Sequence, residues 1–202
     1  ISVAGGQVTG TGTSQITINP SSNFDANTGY YVLIAASAFD DANSGSYAGI
    51  SSTTSLNFTS TNVLPTLSSS TPADDATSVA IDTNIVLNFS ENVTAQSGNI
   101  IIKKTSDDST VETIDVAGGQ VTGTGTSQIT INPSSNFDAN TGYYVLIAAS
   151  AFDDANSGSY AGIGSTTALT FTSANVLPTL SSSTPADNAT NVIKDGTIVL
   201  NF

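Results

Sequence analysis

One stretch constrains this chain more than any other: VAGGQVTGTGTSQITINPSSNFDANTGYYVLIAASAFDDANSGSYAGI runs from Val3 to Ile50 and returns unchanged from Val116 to Ile163. The offset is 116 − 3 = 113 residues. Carried outward, it pairs Ile1–Phe89 with Ile114–Phe202, and only 11 of those 89 pairs differ. All 11 lie outside the invariant stretch, as at Ser51/Gly164, Asn57/Thr170 and Ile81/Lys194. Solenoid and propeller units of about 20 to 50 residues need neighbours to bury a core, whereas a unit of this length can hold a whole domain. The expected organisation is a tandem array: 1–62 as the C-terminal part of one repeat, 63–175 as a complete repeat, and 176–202 as the N-terminal part of a further one. Copying of this kind favours spacing, reach or polymer building over catalysis.

Charge narrows the partners. The basic residues are Lys103, Lys104 and Lys194, against sixteen acidic ones, for a net charge of −13. Phosphate backbones and anionic membranes are bound through clustered Lys and Arg, so neither nucleic acid nor a membrane surface is an expected partner. No apolar run approaches the roughly 20 residues that span a bilayer, so no membrane insertion is expected. Excess carboxylate keeps an array soluble and offers oxygen ligands to a hard cation such as calcium. Cys and His are absent, which removes disulfides, the thiol nucleophile and the usual catalytic base. The chain is not expected to be an enzyme.

Periodicity points to strands throughout. SQITINP (Ser14 to Pro20) places Ile16 and Ile18 on one face, and TGYYVLIAASAF (Thr28 to Phe39) places Tyr30, Val32 and Ile34 opposite Tyr31 and Leu33. SLNFTS closes the unit. Val63 to Pro72 reads as a linker leading into the first strand of the next unit, punctuated by Pro65 and Pro72, and TPADDATSVAIDT reads as turns. NIVLNF (Asn84 to Phe89) reads as a buried strand, GNIIIKK (Gly98 to Lys104) as another, SDDST as a hairpin turn, and VETIDV (Val111 to Val116) as the strand that pairs back. Seven or eight short strands per repeat, with turn signals every 8 to 12 residues or so and no amphipathic helix, describe an all-β antiparallel sandwich.

The strings TPADDATSVAIDTNIVLNFSENV, GNIIIKK, SQITINPSSNFDANTGYYVLI and AFDDANSGSYAGI together resemble the bacterial Ig-like repeats of the S-layer and giant surface-adhesin type. The resemblance implies tandem Ig-like β-sandwiches that extend a secreted or cell-surface protein away from a bacterium. It also implies that Tyr143, six residues after Phe137, forms a tyrosine corner, with Tyr30 and Phe24 as counterparts. The loop DDANSGSYAG departs from the family's usual order by placing Asn before Gly.

Candidate ligand groups are acidic. Asp40, Asp41 and Asn43, repeated as Asp153, Asp154 and Asn156, put three oxygen-bearing side chains within four positions, as a calcium loop does; the competing reading is an Asx-capped turn. A second group, Asp74, Asp75 and Asp82, follows the linker, with Asp187, Asn188 and Asp195 as counterparts. Glu91 is a candidate ion-pair partner for Lys103 or Lys104. Gly123-x-Gly125 lacks the third glycine and the following helix of a phosphate loop, so Gly118, Gly119, Gly123 and Gly125 read as turn and bulge positions needing positive φ.

The sequence therefore predicts a structural spacer or stalk of a secreted or surface protein, partnered by neighbouring repeats of the same protein. The alternative is a filament subunit whose copies complete each other's sandwiches by strand addition. A carbohydrate-binding module is a third reading, with Tyr31, Tyr47, Tyr144 and Tyr160 as its aromatic candidates.

Overall fold

Alternating apolar side chains are the local rule from which the fold follows. A computed structural model of the chain describes all 202 residues and contains strands and turns but no α-helix. The chain divides into two units, the first made of Ile1–Leu64 with Ala155–Gly158 and the second of Pro65–Asp154 with Ser159–Phe202.

In the first unit β1 (Val8–Thr9) pairs with β2 (Thr17–Ile18), and β3 (Gly29–Tyr31) pairs with β4 (Asn57–Thr59), both antiparallel. In the second, β5 (Leu67–Thr71), β6 (Ala76–Val79), β7 (Ile85–Ala95), β8 (Asn99–Lys104), β9 (Thr110–Asp115), β10 (Val121–Thr122), β11 (Thr126–Ile131), β12 (Gly142–Ile147), β13 (Phe152–Asp153) and β14 (Thr170–Ser173) form two five-stranded sheets. One runs β10-β11-β7-β13 with β5 also on β7, and the other runs β6-β14-β12-β8-β9. A last hairpin joins β15 (Ser182–Thr184) to β16 (Val199–Asn201).

Each strand of the sandwich turns one set of alternate residues inward, which is what a half-buried strand must do. From the first sheet come Ile85, Leu87, Phe89, Val93, Ile129 and Ile131; from the second, Ile100, Ile102, Ile114, Tyr143, Val145, Ile147 and Phe171, all buried in one core. Phe89 packs on Phe152 at 5.3 Å and edge-on to Tyr160 at 5.1 Å between ring centres, geometry that aromatic pairs favour.

The repeat is geometric as well as textual. Val8↔Ile18 and Thr9↔Thr17 recur as Val121↔Ile131 and Thr122↔Thr130. Tyr30↔Phe58 recurs as Tyr143↔Phe171, and Ser70↔Leu87 as Ser183↔Leu200.

Four details depart from the sequence reading. Strand β7 continues past Phe89 to Ala95, because its later half finds partners in Phe152 and Asp153. Ala76–Val79, read as turns, is a short strand parallel to β14, accommodated by left-handed backbone at Asp75 and Ser78. Gly123 and Gly125 do have positive φ, and a Cβ on Gly123 would lie 2.1 Å from the Gln128 carbonyl oxygen, whereas Gly118 and Gly119 are not left-handed. Finally, Glu91 lies on β7 in one sheet and both lysines on β8 in the other, so the proposed ion pair does not form; Lys104 Nζ instead meets Asp138 Oδ2 at 2.7 Å.

Candidate functional site

The acidic loops are where the sequence placed its chemistry. In the first unit the loop after Phe39 closes on itself: Asp40 pairs with Ser46, and Asp41 Oδ1 accepts the Asn43 N–H at 2.8 Å and the Gly45 N–H at 2.7 Å. Asp40 Oδ1 accepts the Ser46 hydroxyl at 2.6 Å. A short acidic side chain whose oxygen caps the amides two and four residues on is an Asx-type turn. One carboxylate oxygen of each aspartate is thus spent inside the turn. In the second unit Asp153 ends β13 opposite Thr94 and Asp154 is buried; Asn156 is exposed in the Ala155–Gly158 turn, which groups with the first unit. Asp153 Oδ1 is buried without a hydrogen-bond partner.

The second acidic group is used differently. Asp74 Oδ1 accepts both the N–H and the hydroxyl of Thr170, at 2.8 and 3.2 Å, and Asp75 Oδ1 accepts the same hydroxyl at 2.9 Å. These bonds pin the loop before β6 onto β14. Asp82 is exposed and makes no third member of the group. Nowhere do three acidic side chains gather as a set, so a calcium ion here would draw most of its six to eight oxygens from amide and backbone carbonyls.

The corner around Tyr143 is the best-defined polar arrangement. Tyr143 is buried against Phe137 and Phe171, with ring centres 4.8 and 5.4 Å away, and its hydroxyl accepts the Asp138 N–H at 2.8 Å. Ser173 Oγ donates to the carbonyls of Asp138 and Thr141 and accepts the Thr141 N–H. Tyr30 repeats this in the first unit, accepting the Asp25 N–H at 2.8 Å beside Phe24 and Phe58. The arrangement is the one the family resemblance implied, and its role is to fix a loop to a core. Above it, the ion pair with Asp138 raises the Lys104 pKa, first by direct hydrogen bonding and then by charge.

Sequence reasoning missed Glu112. It lies on β9 in the same alternate phase as buried Ile114 and Val116, a position that ought to be apolar. Its carboxylate accepts Gln120 Nε2 at 2.8 Å and the Ser134 N–H at 3.0 Å, tying an edge strand of one sheet to segments flanking β10 and β11 of the other. Burial pushes its pKa up, but these donors outweigh that and hold it below the ordinary glutamate value. The acid in an inward phase was the available signal.

The aromatic candidates give no sugar platform in the second unit, where Tyr144 and Tyr160 are both buried. Tyr144 donates its hydroxyl to Asp108 at 3.0 Å and is overlaid by Lys103. Beside it lies a groove of about 470 Å³ walled by Asp75, Thr105, Asp108, Thr170 and Thr172. Its two carboxylates accept hydroxyls from Tyr144 and Thr170.

No curated protein matches the chain. The model of the bacterial Ig-like domain family matches twice, over residues 1–60 and 61–173. Those matches take in most of the sequence and cover both the β1–β4 pairings and the complete β5–β14 sandwich, so the chain belongs to the bacterial Ig-like domain family.

Proposed function

We propose that this chain is a structural spacer of a secreted or cell-surface bacterial repeat protein of the adhesin or S-layer kind, without catalytic activity. The observation that carries the reading is the recurrence of the same strand registers at an offset of 113 residues, Tyr30↔Phe58 and Tyr143↔Phe171 among them. A module copied with its pairing intact adds length without new chemistry. The family supports this, since bacterial Ig-like domains serve as structural modules of surface proteins.

The mechanism is mechanical. A closed sandwich resists extension until its ladders part, and a released repeat of 113 residues then lengthens the chain by up to roughly 3.3–3.6 Å per residue. Chains carrying one, two and three complete repeats should show a maximum dimension in solution scattering that grows in proportion to repeat number. Growth as the cube root of mass, the behaviour of a single folded ball, would refute the spacer reading.

A further inference from the structure

A repeat strung in series takes load at its two ends, and the sandwich of the second unit brings those ends together. The incoming segment forms β5 and β6, the outgoing strand is β14, and β6 and β14 lie side by side at one edge of their sheet. They make the unit's parallel pair, with Phe171↔Ala76 and Ser173↔Val79 in register; its other strand pairs are antiparallel. Tension drags β6 back toward its N-terminal end and β14 forward toward its C-terminal end. Because the two strands point the same way, these pulls are opposed and run along the strands, so the bonds that cross the pair are strained together. Antiparallel neighbours loaded at adjacent ends part like a zipper, one bond at a time. Strand β5 precedes the pair, and its ladder to β7 is interrupted between Leu67 and Ser69, so load passes through it to β6.

Both ends of the parallel pair are tied. Before β6, Asp74 Oδ1 accepts the Thr170 N–H at 2.8 Å, and the Thr170 hydroxyl is shared between Asp74 Oδ1 at 3.2 Å and Asp75 Oδ1 at 2.9 Å. At the far end the Ala174 N–H donates to the Val79 carbonyl at 2.6 Å, and just beyond it the Phe137 N–H donates to the Ile81 carbonyl at 2.7 Å. Phe171 and Ser173 are buried, and Ala76 and Val79 pack against the core, which keeps water from replacing the bonds as they stretch.

We propose that the β6–β14 pair is the mechanical clamp of the repeat, the set of bonds that must shear before the sandwich opens under tension, with Asp74, Asp75 and Thr170 as its latch. The clamp deepens the spacer reading and rests on it, since only a module in series is loaded at both ends.

The copies differ where the clamp is built. Four of the 11 differences, at 51/164, 55/168, 57/170 and 61/174, fall in and around β14; six, at 75/188, 78/191, 80/193, 81/194, 83/196 and 84/197, fall in and around β6; the last is Ser2/Asp115. The latch itself changes. Asn57 stands in the first unit where Thr170 stands in the second, and turns its amide to the Thr54 carbonyl at 3.2 Å; Asn188 stands in the later copy for Asp75. An array of this kind shares one core and carries clamps of unequal strength, so its repeats open one by one as tension rises.

The test holds the full chain by its two ends under constant tension and records the lifetime before the step that releases a whole repeat, since forced unfolding is governed by the unfolding rate. Thr170→Val keeps the shape and the backbone N–H of the residue and removes the shared hydroxyl. Its lifetime under load should fall about fivefold, the kinetic equivalent of one net hydrogen bond. Asp75→Asn, which installs the later copy's residue, should shorten the lifetime by a smaller factor. Glu112→Gln is the control. It weakens a tie on β9, at the opposite edge of the sheet, so its urea midpoint should fall while its lifetime under load stays within about twofold of the wild type, as for any contact still intact when the clamp gives way. Urea midpoints on every variant establish that each folds. Lifetimes that neither latch variant shortens, or that Glu112→Gln shortens as much, overturn the clamp. Either result leaves the spacer reading standing, because growth of the maximum dimension with repeat number decides that separately.

Discussion

The Tyr143 hydroxyl accepts its hydrogen bond from the Asp138 N–H at 2.8 Å, five residues upstream, while its ring is buried between Phe137 and Phe171. Tyr143→Phe keeps the ring and strands that amide. The expected cost is about 1 kcal/mol in urea unfolding of the second unit, the net worth of one part-buried hydrogen bond. Tyr30→Phe, at the same corner in the first unit, should leave that transition unchanged.

Leu87 and Leu200 are the same residue of the repeat in opposite environments. Leu87→Ala removes a fully buried side chain and should cost about 2–5 kcal/mol, whereas Leu200→Ala, at an exposed position, should shift the same transition by less than roughly 0.5 kcal/mol. Denaturant midpoints at matched protein concentration check both, and a large effect of Leu200→Ala on the second unit would contradict its exposure.

Glu112 predicts an acid dependence with a definite sign. Its folded pKa lies below the ordinary value of 4.5, so its contribution is complete above that value and is lost as pH falls through the lower one. Glu112→Gln should flatten the stability profile in that window and cost about 1 kcal/mol at neutral pH, as one carboxylate–amide contact is weakened. Melting curves from pH 7 to 3 on both proteins read this directly.

Calcium separates the two readings of the acidic loops. Ligand at about a hundred times its dissociation constant stabilises a fold by about 2.7 kcal/mol, which a melting curve resolves easily. Because Asp41 spends an oxygen on two backbone amides, and no three carboxylates converge, the transition should be the same with calcium and with chelator. An upward shift of several degrees in calcium would show that the loops do hold the ion.

Gly123 tests the tight turn before β11. Alanine there would force a Cβ to within 2.1 Å of a carbonyl oxygen at a backbone angle alanine avoids, for an expected loss of at least about 1–2 kcal/mol. Gly119→Ala, with open space around it, should be tolerated.

What could be read from sequence was whatever repeats with period two. Ile16, Ile18, Tyr30, Val32 and Ile34 were placed on their faces correctly, and their counterparts in the second unit are buried as a set, because alternation alone decides which side of a strand meets a core. The Tyr143 corner was legible through a family motif, not through physics visible along the chain. What escaped were relationships fixed by distant partners. Ala76–Val79 becomes a strand only because β14 lies beside it, Ser90–Ala95 extends β7 because Thr126 of β11 and then β13 supply partners, and Glu112 acquires a purpose only when Gln120 and Ser134 arrive from the facing sheet. In the acidic loop of the first unit, Asp41 caps the Asn43 and Gly45 amides, a use of its oxygen that the sequence offered alongside the ligand reading.

The exact recurrence of strand register also bears on how such a chain acquires its structure. The segment Ile85–Phe89 emerges after β2 at Thr17–Ile18 and before β11 at Thr126–Ile131, and both strands lie in the same Thr-Ser-Gln-Ile-Thr-Ile sequence, so strand energies alone do not distinguish the correct partner from the neighbour's. Loop closure does: the connection from Phe89 forward to β11 is shorter than the one from β2 to Ile85 and costs less entropy. Fidelity in an array this uniform is therefore set by the order of synthesis and by kinetics, and wrong-neighbour pairing is its natural error.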